Sequence, residues 1–233
     1  MPIPKPDYET DKVKLYHGDS YEIAPLLDKP DLLCVDPPYI VDVLSSLQKK
    51  NGAFGKRRSL MDTANFTDTG FDISFLNEFS NWVCFCSVNQ LSLLQEAAKE
   101  KPRHTILHWL KPNPVPTCNN KYLEDVEYYI HARQPNRVFG DYRLKSKYFE
   151  YPCGNAEGSH PNCKPIPLMA KIVQVASQPG ETIADYFMGS GSTGVATIRY
   201  DRKFIGIEKE KKWFEEAVER IAREEAQGCF EFV

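Results

Sequence analysis

Short apolar runs and amphipathic stretches take turns along most of this chain. The runs at 13–17 (VKLYH), 31–35 (DLLCV), 82–88 (WVCFCSV), 104–110 (HTILHWL), 126–132 (VEYYIHA), 182–187 (TIADYF) and 204–208 (FIGIE) have the length and branching of strands. Helical spacing fills 21–27, 72–80, 91–100, 165–177, 192–200 and 209–226. DLLCV has no polar face, which is the mark of a strand covered on both sides. Strands alternating with helices predict a doubly wound α/β fold with a mostly parallel, seven-stranded sheet. Runs 104–110 and 126–132 are linked by the proline-rich KPNPVPTCNNKY and predict an antiparallel hairpin at one edge.

With 233 residues the chain suits one domain over 13–233, preceded by a loose tail at 1–12. No apolar run approaches the ~20 residues that span a bilayer, and the polar start MPIPKPDYETDKVK lacks the apolar stretch of a secretory signal, so a cytoplasmic protein is expected. Seven cysteines without a CxxC argue against a zinc ribbon or a thioredoxin motif, and no metal-ligand spacing occurs. Cys84 and Cys86 share one face of their strand and read as core filler. A formal net charge of −3 does not suggest a protein that coats nucleic acid by bulk charge. Two local basic segments stand out against it. One holds Lys49, Lys50, Lys56, Arg57 and Arg58; the other runs from Arg133 through Arg137, Arg143 and Lys145 to Lys147, with Tyr142, Tyr148, Phe149 and Tyr151 interleaved or following. Each charge run also fits a solvated loop.

Two constellations carry chemistry. The first is Asp185-Tyr-Phe187-Met-Gly189-Ser190-Gly191-Ser192-Thr-Gly, placed between a strand and a helix. Glycines there admit close backbone approach, and a helix start offers free N–H groups, although a plain tight turn has the same look. The next strand ends in Glu208, a carboxylate placed to accept from both hydroxyls of a ribose. Neither G-x-G-x-x-G nor G-x-x-x-x-G-K-[ST] is present, which favours a nucleoside cofactor without a pyrophosphate. The second constellation is Asp36-Pro37-Pro38-Tyr39, directly after DLLCV. Consecutive prolines make a stiff corner at the strand's C-terminal end, where open α/β sheets bind ligands. An aspartate, a proline carbonyl and a tyrosine ring suit a planar group bearing an exocyclic amine; a solvated strand terminator is the alternative.

Together DPPY and DYFMGSGSTG resemble the motifs of the S-adenosylmethionine-dependent DNA amino-methyltransferases. The stretches YHGDSYEIAPLLDKPDLLCVDPPY, LHWLKPNPVPT with DVEYYIHARQ, and HPNCKPIPLMAKIVQVASQPGETIADYFMGSGSTGVATIRYDRKFIGIEKEKKWFEEAVERI extend the likeness from about residue 13 to 222. The catalytic motif precedes the cofactor loop, which resembles the circularly permuted β class. The resemblance implies a Rossmann-like methyltransferase fold and a short recognition insertion at 133–159, with a DNA-contacting loop at 40–70. It implies S-adenosylmethionine as cofactor, double-stranded DNA as partner, a homodimer in some relatives, and no metal.

Residue by residue, the resemblance implies catalysis by Asp36, Pro37, Pro38 and Tyr39. It implies cofactor binding by Asp19 (adenine amine), Glu208 (ribose), Asp185 (ammonium), Phe187, Gly189, Ser190, Gly191 and Ser192 (methionine part). Lys164 is expected beside the cofactor carboxylate, or else is a plain helix-start lysine, and His160 has a supporting role. Lys49, Lys50, Lys56, Arg57, Arg58, Arg137, Arg143, Lys145 and Lys147 are expected on DNA. DPPY usually accompanies adenine in this family, so adenine N6 is the expected target; cytosine N4 and a non-catalytic DNA-binding module are the alternatives.

Overall fold

The computed structural model describes residues 3–37, 73–114, 116, 122–154 and 163–228. One mixed sheet runs through them. Its strands are β1 (Tyr8–Glu9), β2 (Val13–His17), β3 (Leu32–Val35), β4 (Trp82–Cys86), β5 (Arg103–Leu110), β6 (Val126–Arg133), β7 (Tyr148–Glu150), β8 (Thr182–Asp185) and β9 (Lys203–Glu208). The helices are α1 (Ser20–Ile23), α2 (Leu91–Lys99), α3 (Ile166–Ala176), α4 (Ser192–Arg199) and α5 (Lys211–Gln227). Residues Ile73–Glu78 form a 3-10 helix where the spacing suggested an ordinary one.

The sheet order is β1-β2-β9-β8-β3-β4-β6-β5-β7. Strands β2, β9, β8, β3 and β4 are parallel neighbours, and β6 lies antiparallel between β4 and β5. The seven expected strands form the middle of the sheet. Two short ones add to them, making nine among the described residues. The β5–β6 hairpin is not the edge, because β7 pairs parallel with β5 through His108↔Tyr148 and Leu110↔Glu150. The N-terminal segment is not loose either. Tyr8 and Glu9 pair with Leu15 and Lys14, Thr10 Oγ1 donates to Glu225 at 2.6 Å, and Lys12 meets Asp201 at 2.7 Å.

Both faces of the sheet are covered, which explains the apolar runs. On β3, Leu33 and Val35 join Leu76, Phe79 and Leu94 on one side; Leu32 and Cys34 join Leu168, Ile172 and Val173 of α3 on the other. On β4, Cys84 and Cys86 share the first face as buried free thiols. A third cluster packs Phe214, Ala217 and Ile221 of α5 against Val195, Ile198 and Phe204.

The strand order reverses between β8 and β3. From there the chain leads outward from β8 to β9 on one side and from β3 to β4 on the other. The register sets Leu32 beside Ile183 and Leu33 beside Ala184. The proline corner after β3 and the glycine-rich turn after β8 therefore leave the same edge side by side, at the place where such sheets bind ligands.

The glycine-rich turn also answers to packing. Gly191 has φ 82°, and a Cβ there would lie 3.0 Å from Ala217 Cβ and 3.2 Å from Ala217 Cα on α5. Close approach at this glycine is to a helix of the chain itself. Gly191→Ala is expected to destabilise the fold by about 1–3 kcal/mol, from left-handed strain and overpacking, read as a lower urea midpoint.

Candidate active site

Asp36 directly follows β3 and is partly exposed beside a buried Pro37. Its carboxylate Oδ2 accepts from Lys164 Nζ in a short ion pair. Lys164 precedes α3 and is 7% exposed. The same ammonium lies 2.9 Å from Glu127 Oε1 on β6 and 4.9 Å from the centre of the Phe85 ring. Glu127 Oε2 in turn meets Lys111 Nζ at 2.8 Å. Burial acts to lower the Lys164 ammonium's pKa, but the carboxylates of Asp36 and Glu127 outweigh it and hold the value above the ordinary. Burial likewise acts to raise Glu127, and the two ammoniums overcome it, so the carboxyl stays well below the usual range. Lys164, expected at a cofactor carboxylate or as a helix-start lysine, is here the counter-ion of two protein carboxylates.

Asp185 ends β8 and is buried. Its Oδ1 accepts from Phe187 N–H at 3.0 Å and its Oδ2 from Thr193 Oγ1 at 2.5 Å, so it ties the two ends of the glycine-rich turn together. Burial pushes its carboxyl up to about 7, against the pull of those hydrogen bonds, and the charges of Asp36 and Glu208 add to the rise. Glu208 ends β9. Its Oε2 accepts from Gly189 N–H at 2.9 Å and its Oε1 from Glu210 N–H at 2.8 Å. Burial raises its pKa as well. Asp19 follows β2, whose register sets His17 beside Glu208. It caps α1 through Tyr21 N–H at 2.9 Å and pairs with Lys209 at 2.9 Å, contacts that lower its pKa.

Phe187, Gly189, Ser190, Gly191 and Ser192 follow Asp185 on the same edge. Phe187 meets the Tyr21 ring edge-on at 6.4 Å. Ser190 is held by Arg220 of α5, whose Nη1 donates to its carbonyl at 2.5 Å and its Oγ at 3.0 Å. Cys163 Sγ lies 3.1 Å from Ser192 Oγ and 3.3 Å from Ser190 Oγ. Asp36, Asp19, Lys164, Asp185 and Glu208 thus gather at the C-terminal ends of four neighbouring strands.

The expected DNA contacts divide. Arg143, Lys145 and Lys147 are exposed beside exposed Tyr142 and Tyr148. Arg137 does not join them. Its guanidinium makes a bidentate pair with Glu181 at 2.6 and 2.8 Å and reaches the Asp31 carbonyl. Glu181 and Asp31 lie just before β8 and β3, so the Arg137 guanidinium, expected on DNA, is engaged within the chain at the edge opposite Asp36. A cavity of about 220 Å³ lies between α3 and β4–β6, bordered by Leu107, Tyr129, His131 and Val175 with Lys145 and Lys147 at its rim. It too lies toward the start of β4, away from Asp36. Pro38, Tyr39, Lys49, Lys50, Lys56, Arg57, Arg58 and His160, with the 40–70 loop, lie outside the described residues. Among the described residues, no group of three or more His, Cys, Asp or Glu could hold a metal ion, and no helix is long and apolar enough to cross a membrane.

Sequence reasoning missed Glu127, Lys111, Arg220 and Cys163. Glu127 is one of several acids in LEDVEY, and nothing local separates it from Glu124 or Asp125. Only the antiparallel insertion of β6 next to β4 brings it to Lys164, whose ammonium stands over Phe85.

A family model described as DNA methylase (N6_N4_Mtase) matches residues 31–219. The chain is 25% identical over 256 residues to the type II methyltransferase M2.LlaDCHI of Lactococcus lactis subsp. cremoris, covering 96% of this chain and 94% of that protein. It is 32% identical over 126 residues to M2.MboI of Moraxella bovis, covering 47% and 46%. The solved M1.HpyAVI–SAM complex superposes with TM-score 0.66 at 25% identity, covering 90% of this chain and 98% of that one. The cytosine-N4-specific PvuII DNA methyltransferase superposes with TM-score 0.63 at 16% identity over 93% and 88%, a likeness of fold. The family match takes in both the Asp36 corner and the glycine-rich turn, so the chain belongs to the N6_N4 family of DNA methylases.

Proposed function

We propose that this chain methylates the exocyclic N6 amine of adenine in double-stranded DNA. S-adenosylmethionine is the methyl donor and the base is flipped from the duplex. Methyl transfer to DNA follows from the family. The adenine target is supported by the aspartate at the head of the DPPY corner. One observation carries the assignment of roles. Asp36 and Asp185 lie 149 positions apart in the chain, yet stand at the C-terminal ends of adjacent parallel strands at the reversal point of the sheet.

The residues at this edge fit that cofactor. Asp185, Glu208 and Asp19 place three carboxylates at the ends of three neighbouring strands, chemistry suited to a ligand with ammonium, sulfonium and ribose hydroxyl groups. Burial leaves Asp185 titrating about 7, and a bound cation would hold it ionised. When bound, S-adenosylmethionine supplies an activated methyl group.

The chain's own residues do the rest. Asp36 and the Pro37 carbonyl accept the two hydrogens of the target amine and concentrate its lone pair on one side. The nitrogen would gain a methyl group as the methyl–sulfur bond breaks and its electron pair stays on a neutral thioether, and the nitrogen would lose one proton, which Asp36 accepts and solvent removes. The ring of Tyr39 stacks on the flipped base, whose extrusion costs a few kcal/mol. Arg143, Lys145 and Lys147, with the 49–58 segment, hold the phosphates. This work takes place in the cytoplasm, with the DNA.

Incubation with labelled S-adenosylmethionine and random-sequence duplex DNA, followed by nucleoside mass spectrometry, tests the reading. N6-methyladenine is expected, and N4-methylcytosine would replace the adenine assignment.

Asp185 gives the cofactor step a pH dependence. Its folded pKa stands above its unfolded one, so the folded chain keeps a proton that the unfolded chain has lost. Without ligand the carboxyl therefore opposes folding increasingly as pH rises from about 4 to about 7. A cation must displace that proton at lower pH. Affinity for S-adenosylmethionine should accordingly weaken about tenfold from pH 7.5 to 5.5, measured by isothermal titration calorimetry. Asp185→Asn should bind more weakly at pH 7.5 and show a flat profile; an equally steep profile would remove Asp185 from the role.

A further inference from the structure

Asp36, Lys164, Glu127 and Lys111 form a row of alternating charge from the end of β3 to the segment after β5. The row carries two carboxylates and two ammoniums. Lys164 is its most buried member, seated on the Phe85 ring. As the structure stands, Lys164 occupies Asp36 Oδ2 with a charged donor, a stronger hydrogen-bond partner than a neutral amine. An amine that is to use Asp36 Oδ2 has to compete with that ammonium. Drawing a buried cation off its carboxylate is costly unless a second carboxylate keeps it. Glu127 is that second carboxylate, at 2.9 Å, and Lys111 holds its other oxygen.

We propose that Glu127 is a positioning residue for methyl transfer: it retains the Lys164 ammonium while Asp36 turns its carboxylate to the incoming amine. The proposal rests on Asp36 as the amine acceptor, and goes beyond it by assigning the group that frees Asp36 to act. Glu127 touches neither substrate nor cofactor in this scheme and works through Lys164.

Other groups also bear on Asp36. Asp185 faces it from β8, and the thiols of Cys34, Cys84 and Cys86 face it from β3 and β4. Burial pushes those thiols up, Cys86 to about 12, so they stay neutral across the assay range. Asp185 is common to every variant compared.

The test uses the full-length wild type, Glu127→Gln and Glu127→Asp on duplex DNA carrying the wild-type site. It measures kcat and KM separately from pH 5.5 to 9, and cofactor affinity by calorimetry. In Glu127→Gln, kcat should fall about 10- to 100-fold with cofactor affinity retained. The acid limb of the kcat profile should move to lower pH, because the Lys164 charge then bears on Asp36 alone. Glu127→Asp should return the limb toward its wild-type position. An unchanged kcat would overturn the proposal, as would a loss of activity with the limb unmoved, the pattern of mere packing damage. The methylated nucleoside is identified in the same reactions. Product on cytosine N4 would overturn the adenine reading, while the Glu127 comparison would still decide the positioning role.

Discussion

Replacing Asp36 with alanine is expected to lower the rate of methyl transfer about 10²- to 10⁴-fold while leaving S-adenosylmethionine affinity close to that of the wild type. The carboxylate is the charged acceptor for the target amine, so its loss removes both the orientation of the lone pair and the first resting place of the departing proton. The residues at the cofactor side of the edge keep their partners without it. Asp185 is tied to Phe187 and Thr193, and Glu208 to Gly189 and Glu210. Lys164 keeps Glu127 at 2.9 Å, so the variant does not strand its buried ammonium and should fold. Single-turnover methylation and calorimetric titration of the same preparation separate the two effects. Undiminished turnover would remove Asp36 from the chemistry, and a matching loss of cofactor affinity would recast it as a binding residue.

How much of this was legible in the sequence depends on the range over which each feature is determined. β3 could be read because a strand buried on both faces has no polar position to disguise it, and Leu32–Val35 alternate between two cores as a continuous apolar run must. β1 and β7, of two and three residues, carry no pattern of their own; they form because Leu15 and His108 offer them edges to pair with. Arg137 looked like one of a basic series because its partner Glu181 is 44 residues away, and no local signal marks a long-range ion pair. Asp36 and Glu208 could be singled out by their positions after or at strand ends, which is where chemistry concentrates in such sheets, and Asp185 by the likeness of its glycine-rich turn to a cofactor loop. Gly191 was found for a partial reason. Its positive φ was foreseeable from the glycine-rich turn, but its closest neighbour is α5.

Lys164→Met should produce the largest change in stability. The side chain is 7% exposed and its ammonium is shared by two carboxylates, so methionine leaves Asp36 and Glu127 facing a thioether in its place. Removing one partner of a buried ion pair costs about 3–5 kcal/mol, because the remaining charge loses its compensation. Lys111 still pairs with Glu127 Oε2, which limits the damage on that side and leaves Asp36 the more affected group. The sign of the pH dependence separates this cause from a simple packing defect. In the wild type Glu127 is held below its ordinary value, so its contribution is present above the unfolded carboxylate pKa and fades as pH falls. In Lys164→Met the two carboxylates should titrate above their ordinary values. The folded variant then holds protons the unfolded chain has lost, and its stability falls as pH rises through the carboxylate range. The deficit against the wild type should therefore be larger at pH 8 than at pH 5 in urea unfolding. Adding Glu127→Gln to Lys164→Met should recover part of the deficit at pH 8, since one of the uncompensated charges is gone. Equal deficits at the two pH values, or no recovery in the double variant, would mean that Lys164 contributes through the packing of its aliphatic stem rather than through its charge.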